Sequence, residues 1–328
     1  MNVLMIPLLL RSTVAFMPGQ PWNDTDGNLV QAHGGGILSH NHVYYWYGEN
    51  KSQGYNNKVG VSCYSSTDLA QWKDEGVVLV KGSFPEQFQD HGVCERPKVL
   101  FNAKTNKYVM WMHVDAHGYR VSEAGVAISD KATGPFQWLS SFRPVPSSTY
   151  RDMNLFLDDD GRAYAIYSGE ENQTMHIVRL TNEFTAPAAN LVEGHNWARV
   201  FVGKAREAPA PFKYKGRYFI VSSGCTGWAP NAADVAVADH ILGPWKMLGN
   251  PCVGEGAATT FDSQSTCILP VPGKPGAFIY MGDRWNEKDL ANSRYIWLPM
   301  TVDGDKVEIH NRDHWDFTIF NNLTGDAR

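Results

Sequence analysis

Apolar and polar positions alternate along most of this chain in short runs, and the runs come in pairs. Five segments repeat one plan: a polar residue, an apolar strand, a turn, then a second strand rich in aromatics. They are GGGILSHNHVYYWYGE, RPKVLFNAKTNKYVMWMH, MNLFLDDDGRAYAIYSG, APAPFKYKGRYFIVSSG and STCILPVPGKPGAFIYMG. Turn residues between two β-prone runs are the signature of a hairpin. SSTDLAQW, SDKATGPFQW and ADHILGPW add an echo in which a Trp ends the unit. No stretch has the spacing of a long amphipathic helix.

Five residues before the apolar positions Leu38, Leu100, Leu157, Phe212 and Leu269 stand His33, Glu95, Asp152, Glu207 and Gln264, separated by 62, 57, 55 and 57 residues. These units exceed the ~40–45 residues of a common propeller blade and leave room for long loops. Radial repetition of five such units predicts an all-β, five-bladed β-propeller occupying the chain as a single domain, 1–328. Blade inner strands are expected to start near 33, 95, 152, 207 and 264, with the N-terminal segment helping to close the ring. Inner strands line a propeller's channel, so the five polar anchors are predicted to face one another at one mouth.

Composition narrows the possible partners. With 328 residues and 43% hydrophobic content the chain can bury a full core. Twenty-nine Lys and Arg against 34 Asp and Glu, without long runs of one sign, argue against nucleic-acid or membrane surfaces. Eleven Trp, 14 Tyr and 15 Phe suit a β-rich core or stacking on a sugar face, and core packing alone could account for most. Five cysteines show no zinc spacing, and no pair of histidines argues for zinc either. The opening VLMIPLLL is too short to span a bilayer and lacks a basic start and cleavage site, so it is expected as a strand. Asn23, Asn172 and Asn322 begin glycosylation sequons, which also arise by chance.

Any one anchor, taken alone, is more simply a solvated or hydrogen-bonded structural group. Three carboxylates gathered at one mouth are harder to dismiss, because mutual repulsion and desolvation are costs associated with acid catalysis or metal binding. Glu207 stands in KAREAPAP, where Ala-Pro should give a stiff, extended backbone suited to a positioned proton donor.

The segments ERPK (95–98), Arg151-Asp152, Glu207-Ala208-Pro209, GWAPN (227–231), Ser263-Gln264, MGDRW (281–285) and SRYIW (293–297) resemble glycoside hydrolase family 43. More narrowly they resemble its subfamily 24, the exo-β-1,3-galactanases, from about Trp22 to Trp315. The resemblance implies an inverting enzyme that releases galactose from the non-reducing end of β-1,3-galactan, the backbone of plant arabinogalactan proteins. It implies Glu207 as general acid and Asp152 as the group that tunes its pKa. The family's usual first-blade Asp base is absent, since QAHGGG places His33 there; subfamily 24 shares this departure and the blade-five Gln, here Gln264.

Inversion needs a second group to orient water on the opposite ring face. Gln264 and Glu95 compete: Gln264 can aim water but is a very weak base unless it reaches an imidic-acid form, whereas Glu95 is an ordinary base. The alternative role for Glu95 is to bind sugar hydroxyls, with Arg96 as the cation lowering its pKa. Further candidates for substrate binding are Glu49 against a loop salt bridge, Trp228 as a stacking platform, Tyr119, Thr226, and Arg284, which with Arg294 is expected to brace blade five more than to touch ligand. His113 and His117 are placed in a loop bordering the pocket. No cofactor is expected, and a calcium in the channel cannot be read from the residues. The expected partner is an oligosaccharide or polysaccharide, acted on by a monomer that is secreted or periplasmic because its substrate is. Alternatives are a family 43 α-L-arabinofuranosidase, a broad β-galactosidase, or a carbohydrate-binding propeller without hydrolysis.

Overall fold

The structure, a computed structural model, describes residues 15–55, 57–321 and 323. The run VLMIPLLL and Asn322 lie outside these residues. Blade one comprises β1 (His33–His40), β2 (Val43–Glu49), β3 (Gly60–Ser66) and β4 (Lys73–Val80). Blade two comprises β5 (Val93–Asn102), β6 (Lys107–Asp115), β7 (Glu123–Ser129) and β8 (Gln137–Phe142). Blade three runs through β9 (Arg151–Leu157), β10 (Ala163–Gly169), β11 (Thr174–Arg179) and β12 (Trp197–Val200). Blade four runs through β13 (Arg206–Tyr214), β14 (Arg217–Gly224), β15 (Asp234–Ala238) and β16 (Lys246–Gly249). The fifth contains β17 (Cys252–Val253), β18 (Gln264–Pro270), β19 (Ala277–Arg284), β20 (Arg294–Asp303) and β21 (Lys306–His310). The first four sheets are meanders in chain order, and in the fifth β17 joins the outer edge parallel to β21. The five-bladed β-propeller read from the hairpin repeat is therefore the fold.

Five hydrophobic clusters fill the seams between neighbouring blades, one per seam. Closing the sheets into a ring with filled seams leaves only short outer edges, which suits many short strands. The seam between blades five and one is the most aromatic: Trp46, Trp72 and Trp297 are fully buried there, and Phe16 stacks on Trp315 at 4.3 Å. Phe16 and Trp315 also exchange backbone hydrogen bonds of 2.7 and 3.0 Å, joining the segment before blade one to the one after β21. Most of the tryptophans thus belong to the core.

The inner strands are not regular at the pocket mouth. Register shifts follow His33, Glu95 and Glu207, and the next residue in each case is left-handed: Gly34 (φ 57), Arg96 (φ 51) and Ala208 (φ 53). A bulge of this kind re-aims the side chains around it. The extended backbone expected after Glu207 is accordingly interrupted at Ala208. At Gly34 a side chain is excluded outright, because a Cβ would lie 2.3 Å from Glu49 Oε1. At Gly36 a Cβ would meet the Lys98 stem at 2.6 Å.

Trp297→Ala should remove packing against Phe16, Trp22, Trp46 and Trp72 at once and lower stability by about 3–5 kcal/mol. Urea unfolding of the variant against the parent measures it.

Candidate functional site

Glu95, Asp152, Glu207 and Gln264 line one pocket of about 680 Å³ at the mouth of the channel. His33 does not join them. Its ring is fully buried, 3.2 Å from Asp283 Oδ1 and stacked on Tyr295 at 4.9 Å. Blade one contributes Glu49 instead, the cross-strand partner of His33 at the end of β2.

Arg96 lies at the centre of the pocket floor and is buried. Its Nε is 2.8 Å from Asp152 Oδ1, Nη1 donates to Ser265 O at 2.9 Å, and Nη2 donates to Gln264 Oε1. Its backbone N–H donates to Glu49 Oε1 at 2.9 Å. The cation expected to serve Glu95 therefore serves Asp152, because the left-handed turn at Arg96 points the guanidinium across the channel.

Glu95 has a different partner. His113 Nδ1 stands 3.1 Å from Glu95 Oε2, and Tyr119 O–H donates to Oε1 at 2.7 Å. Burial alone would raise the Glu95 pKa, but the hydrogen bond and charge of His113 overcome it and hold the carboxyl well below its usual range. His113 lies in β6, not in a loop, and is fully buried. His117 is exposed in the loop that follows.

Glu207 is 9% exposed, and among the described residues no Lys, Arg or His forms a salt bridge with it. Its Oε1 accepts from Gln264 Nε2 at 2.9 Å and Oε2 from Asn172 Nδ2 at 3.3 Å. Burial pushes its pKa up, the neighbouring Asp152 anion adds to the rise, and Arg96 only partly offsets it, leaving a value of about 8. One carboxyl is thus kept neutral beside another that is salt-bridged, the arrangement that separates acid from anion in one site.

Aromatic rings form one wall. Trp228 and Trp285 meet edge to face at 5.6 Å, and Tyr55 meets Trp228 at 6.0 Å. Such a wall suits the apolar face of a sugar. Two expected contacts are absent from the pocket lining. The Thr226 hydroxyl turns into its own loop, donating to Ala229 O and accepting from Asn231 at 2.7 Å. Arg284 donates to Phe261 O at 2.8 Å from beneath Gly19, which makes it a brace. Arg294 likewise holds Asn292 O at 2.6 Å.

Lys51, Tyr55, Arg151, Asn172, Trp285 and Glu287 line the pocket without having been singled out for it. Lys51 is 2.7 Å from Glu49 Oε2, so Glu49 forms a salt bridge and faces the pocket as well. Asn172 had been visible only as a sequon; its side chain faces Glu207, where a glycan would fill the pocket. All five cysteines are free thiols. Beneath the floor the Lys98 ammonium donates to Gly34 O at 2.6 Å and to Arg96 O at 3.3 Å. Among the described residues no group of three or more His, Cys, Asp and Glu could hold a metal.

The profile of glycosyl hydrolases family 43 matches residues 36–263. The chain is 40% identical to a family 43 β-1,3-galactosidase solved with galactodeoxynojirimycin, covering 92% of this chain and 100% of that one, with a TM-score of 0.84. It is 36% identical to an exo-β-1,3-galactanase from Phanerochaete chrysosporium solved with β-1,3-galactotriose, covering 92% and 68%, TM-score 0.84. An exo-β-1,3-galactanase from Clostridium thermocellum is 37% identical over 92% and 66%, TM-score 0.83. No curated protein matches. The chain belongs to glycoside hydrolase family 43.

Asp152→Asn removes the anion that raises the Glu207 pKa and leaves Arg96 uncompensated, so both effects act downward. The Glu207 titration, followed by carbon NMR of its carboxyl, should move from about 8 to lower pH by on the order of one unit or more.

Proposed function

We propose that this protein is an exo-acting, inverting β-1,3-galactosidase that releases galactose from the non-reducing end of β-1,3-galactan. The observation that carries the proposal is Glu207, buried outside the Asp152–Arg96 salt bridge that it neighbours, in a pocket walled by aromatic rings. A propeller that only binds sugar has no use for a carboxyl kept protonated near neutral pH. Similarity to β-1,3-galactosidases and exo-β-1,3-galactanases supports galactan over arabinofuranosides as the substrate. By the same reading the enzyme works where that polysaccharide is found, outside the cytoplasm.

Glu207 donates its proton to the glycosidic oxygen. Oε1 accepts from Gln264 at 2.9 Å and Oε2 only the longer contact from Asn172 at 3.3 Å, so Oε2 is the oxygen assigned the proton. Asp152, held by Arg96, stays anionic and keeps the proton on Glu207 until the leaving oxygen develops charge. Gln264 Oε1 accepts from both Arg96 and Trp285, the latter at 3.1 Å, so neither carbonyl lone pair remains for a proton. Gln264 therefore meets water through its second amide N–H and aims it without acting as a strong base. Glu95, with depressed proton affinity and one lone pair left on each oxygen, holds substrate hydroxyls.

On β-1,3-galactobiose, NMR of early product should show α-galactose before mutarotation; retained binding without product would sink the enzyme assignment. Glu207→Gln should lower kcat about 10²–10⁴-fold while sparing affinity. Gln264→Ala should act mainly on kcat and Glu95→Ala mainly on KM, measured on the same disaccharide; the opposite split would transfer the water to Glu95.

A further inference from the structure

Behind Glu95 lies a second, buried circuit that does not touch the pocket's reacting atoms. His113 and Asp115 are one residue apart from Val114 on either side in β6 and point to the same face, as alternate residues of a strand do. His113 Nδ1 faces Glu95 Oε2 at 3.1 Å while Nε2 faces Asp115 Oδ2 at 3.4 Å. A neutral imidazole has one N–H and would turn its lone pair toward the other carboxylate. Only the doubly protonated ring satisfies both contacts. Asp115 is fixed in turn by the Val121 N–H at 2.7 Å and the Ser122 hydroxyl at 2.9 Å. These residues follow Tyr119, which donates to Glu95 Oε1 and therefore receives its own hydrogen bond from the Tyr55 hydroxyl.

We infer that His113 is a positioning residue, an imidazolium held by Asp115 that pins the Glu95 carboxylate as an ionised acceptor for a sugar hydroxyl. This rests on Glu95 holding substrate, as proposed above. The ionisable groups facing His113 are Glu95 from β5, Asp115 from β6 and Tyr119 from the following loop; Lys51 acts on the far side of Glu95. Two carboxylates flank the ring. The closed circuit also explains why a histidine is tolerated at 0% exposure: its charge is matched on both sides. Tyr119 and His113 approach Glu95 from different elements, so the carboxylate cannot rotate without breaking one of them.

Nitrogen NMR of the His113 ring should show both nitrogens protonated at about pH 8, well above the ordinary His midpoint. A neutral ring at about pH 7 would overturn the proposal without reference to any substrate. His113→Asn, which keeps one donor toward Glu95 but no charge, and Asp115→Asn, which keeps the ring, guard against loss of folding in a single variant. Losing a charge-assisted hydrogen bond should raise KM for β-1,3-galactobiose by about 10–100-fold in His113→Asn, with kcat changed by less than about 3-fold. The sign of the pH effect follows from Glu95: without the imidazolium its pKa rises, so the variant loses galactose affinity as pH falls from about 6 to about 4, while the parent does not. An unchanged KM, or a loss of affinity equal at every pH, overturns the positioning role. A doubly protonated His113 in a protein that cleaves no galactoside would instead overturn the function and leave the circuit standing.

Discussion

The structure of the site depends on one buried guanidinium. Arg96 cannot give up its charge, so the surrounding backbone and side chains must satisfy it. They do so from almost every blade: Glu49 accepts from its backbone, Asp152 and Gln264 accept from its side chain, and Ser265 supplies a carbonyl. Blade four is reached through Gln264, whose amide nitrogen donates to Glu207. A residue bonded this way fixes the relative position of five sheets that otherwise meet through apolar seams with little directional preference. The left-handed turn at Arg96 is what lets one residue do this, since its N–H and its side chain leave toward different blades.

The same residue sets the protonation pattern. Arg96 bonds to Asp152 and not to Glu207, so two carboxyls in one pocket have opposite environments. Glu95 is kept apart from this arrangement by a cation of its own, His113, on the outer side of β5. Of the three carboxyl anchors in the pocket, Asp152 and Glu95 thus have separate partners, Arg96 and His113, and Glu207 has neither. Had Arg96 reached Glu207 directly, the acid would be ionised at neutral pH and Asp152 would have no partner.

Much of this was legible from residue order. The hairpin repeat and the spacing of the anchors define the propeller, and four anchors meet in the pocket. His33 departs from the pattern because Asp283 and Tyr295 capture its ring. The partners were harder to read than the anchors. Glu49 and His113 are the cross-strand neighbours of His33 and Glu95, and Asp283 is that of Gln264. A one-residue change in hairpin register would turn each to the other face, and the bulges make that register uncertain from sequence. Which carboxylate Arg96 chooses depends on a positive φ at a non-glycine residue, for which residue type offers no signal. Thr226 and Arg284 lie close in sequence to the pocket residues Trp228 and Trp285, and local hydrogen bonds turn them away.

Gln264 shows how far the network restricts the chemistry. An amide oxygen accepting from both Arg96 and Trp285 cannot also carry a proton, because an O–H there would point at donors. Any imidic-acid form of Gln264 would first have to lose one of these contacts. The amide orientation is therefore imposed by its neighbours: oxygen toward the cation and the indole, nitrogen toward the acid. In this position Gln264 transmits the state of Glu207 to Arg96. When Glu207 loses its proton, the amide nitrogen donates to an anion, its oxygen becomes a better acceptor for Arg96, and the charge left on the acid is spread toward the guanidinium. A carboxylate at position 264 would repel the ionised acid and compete with Asp152 for Arg96. An uncharged group that donates on one side and accepts on the other avoids both.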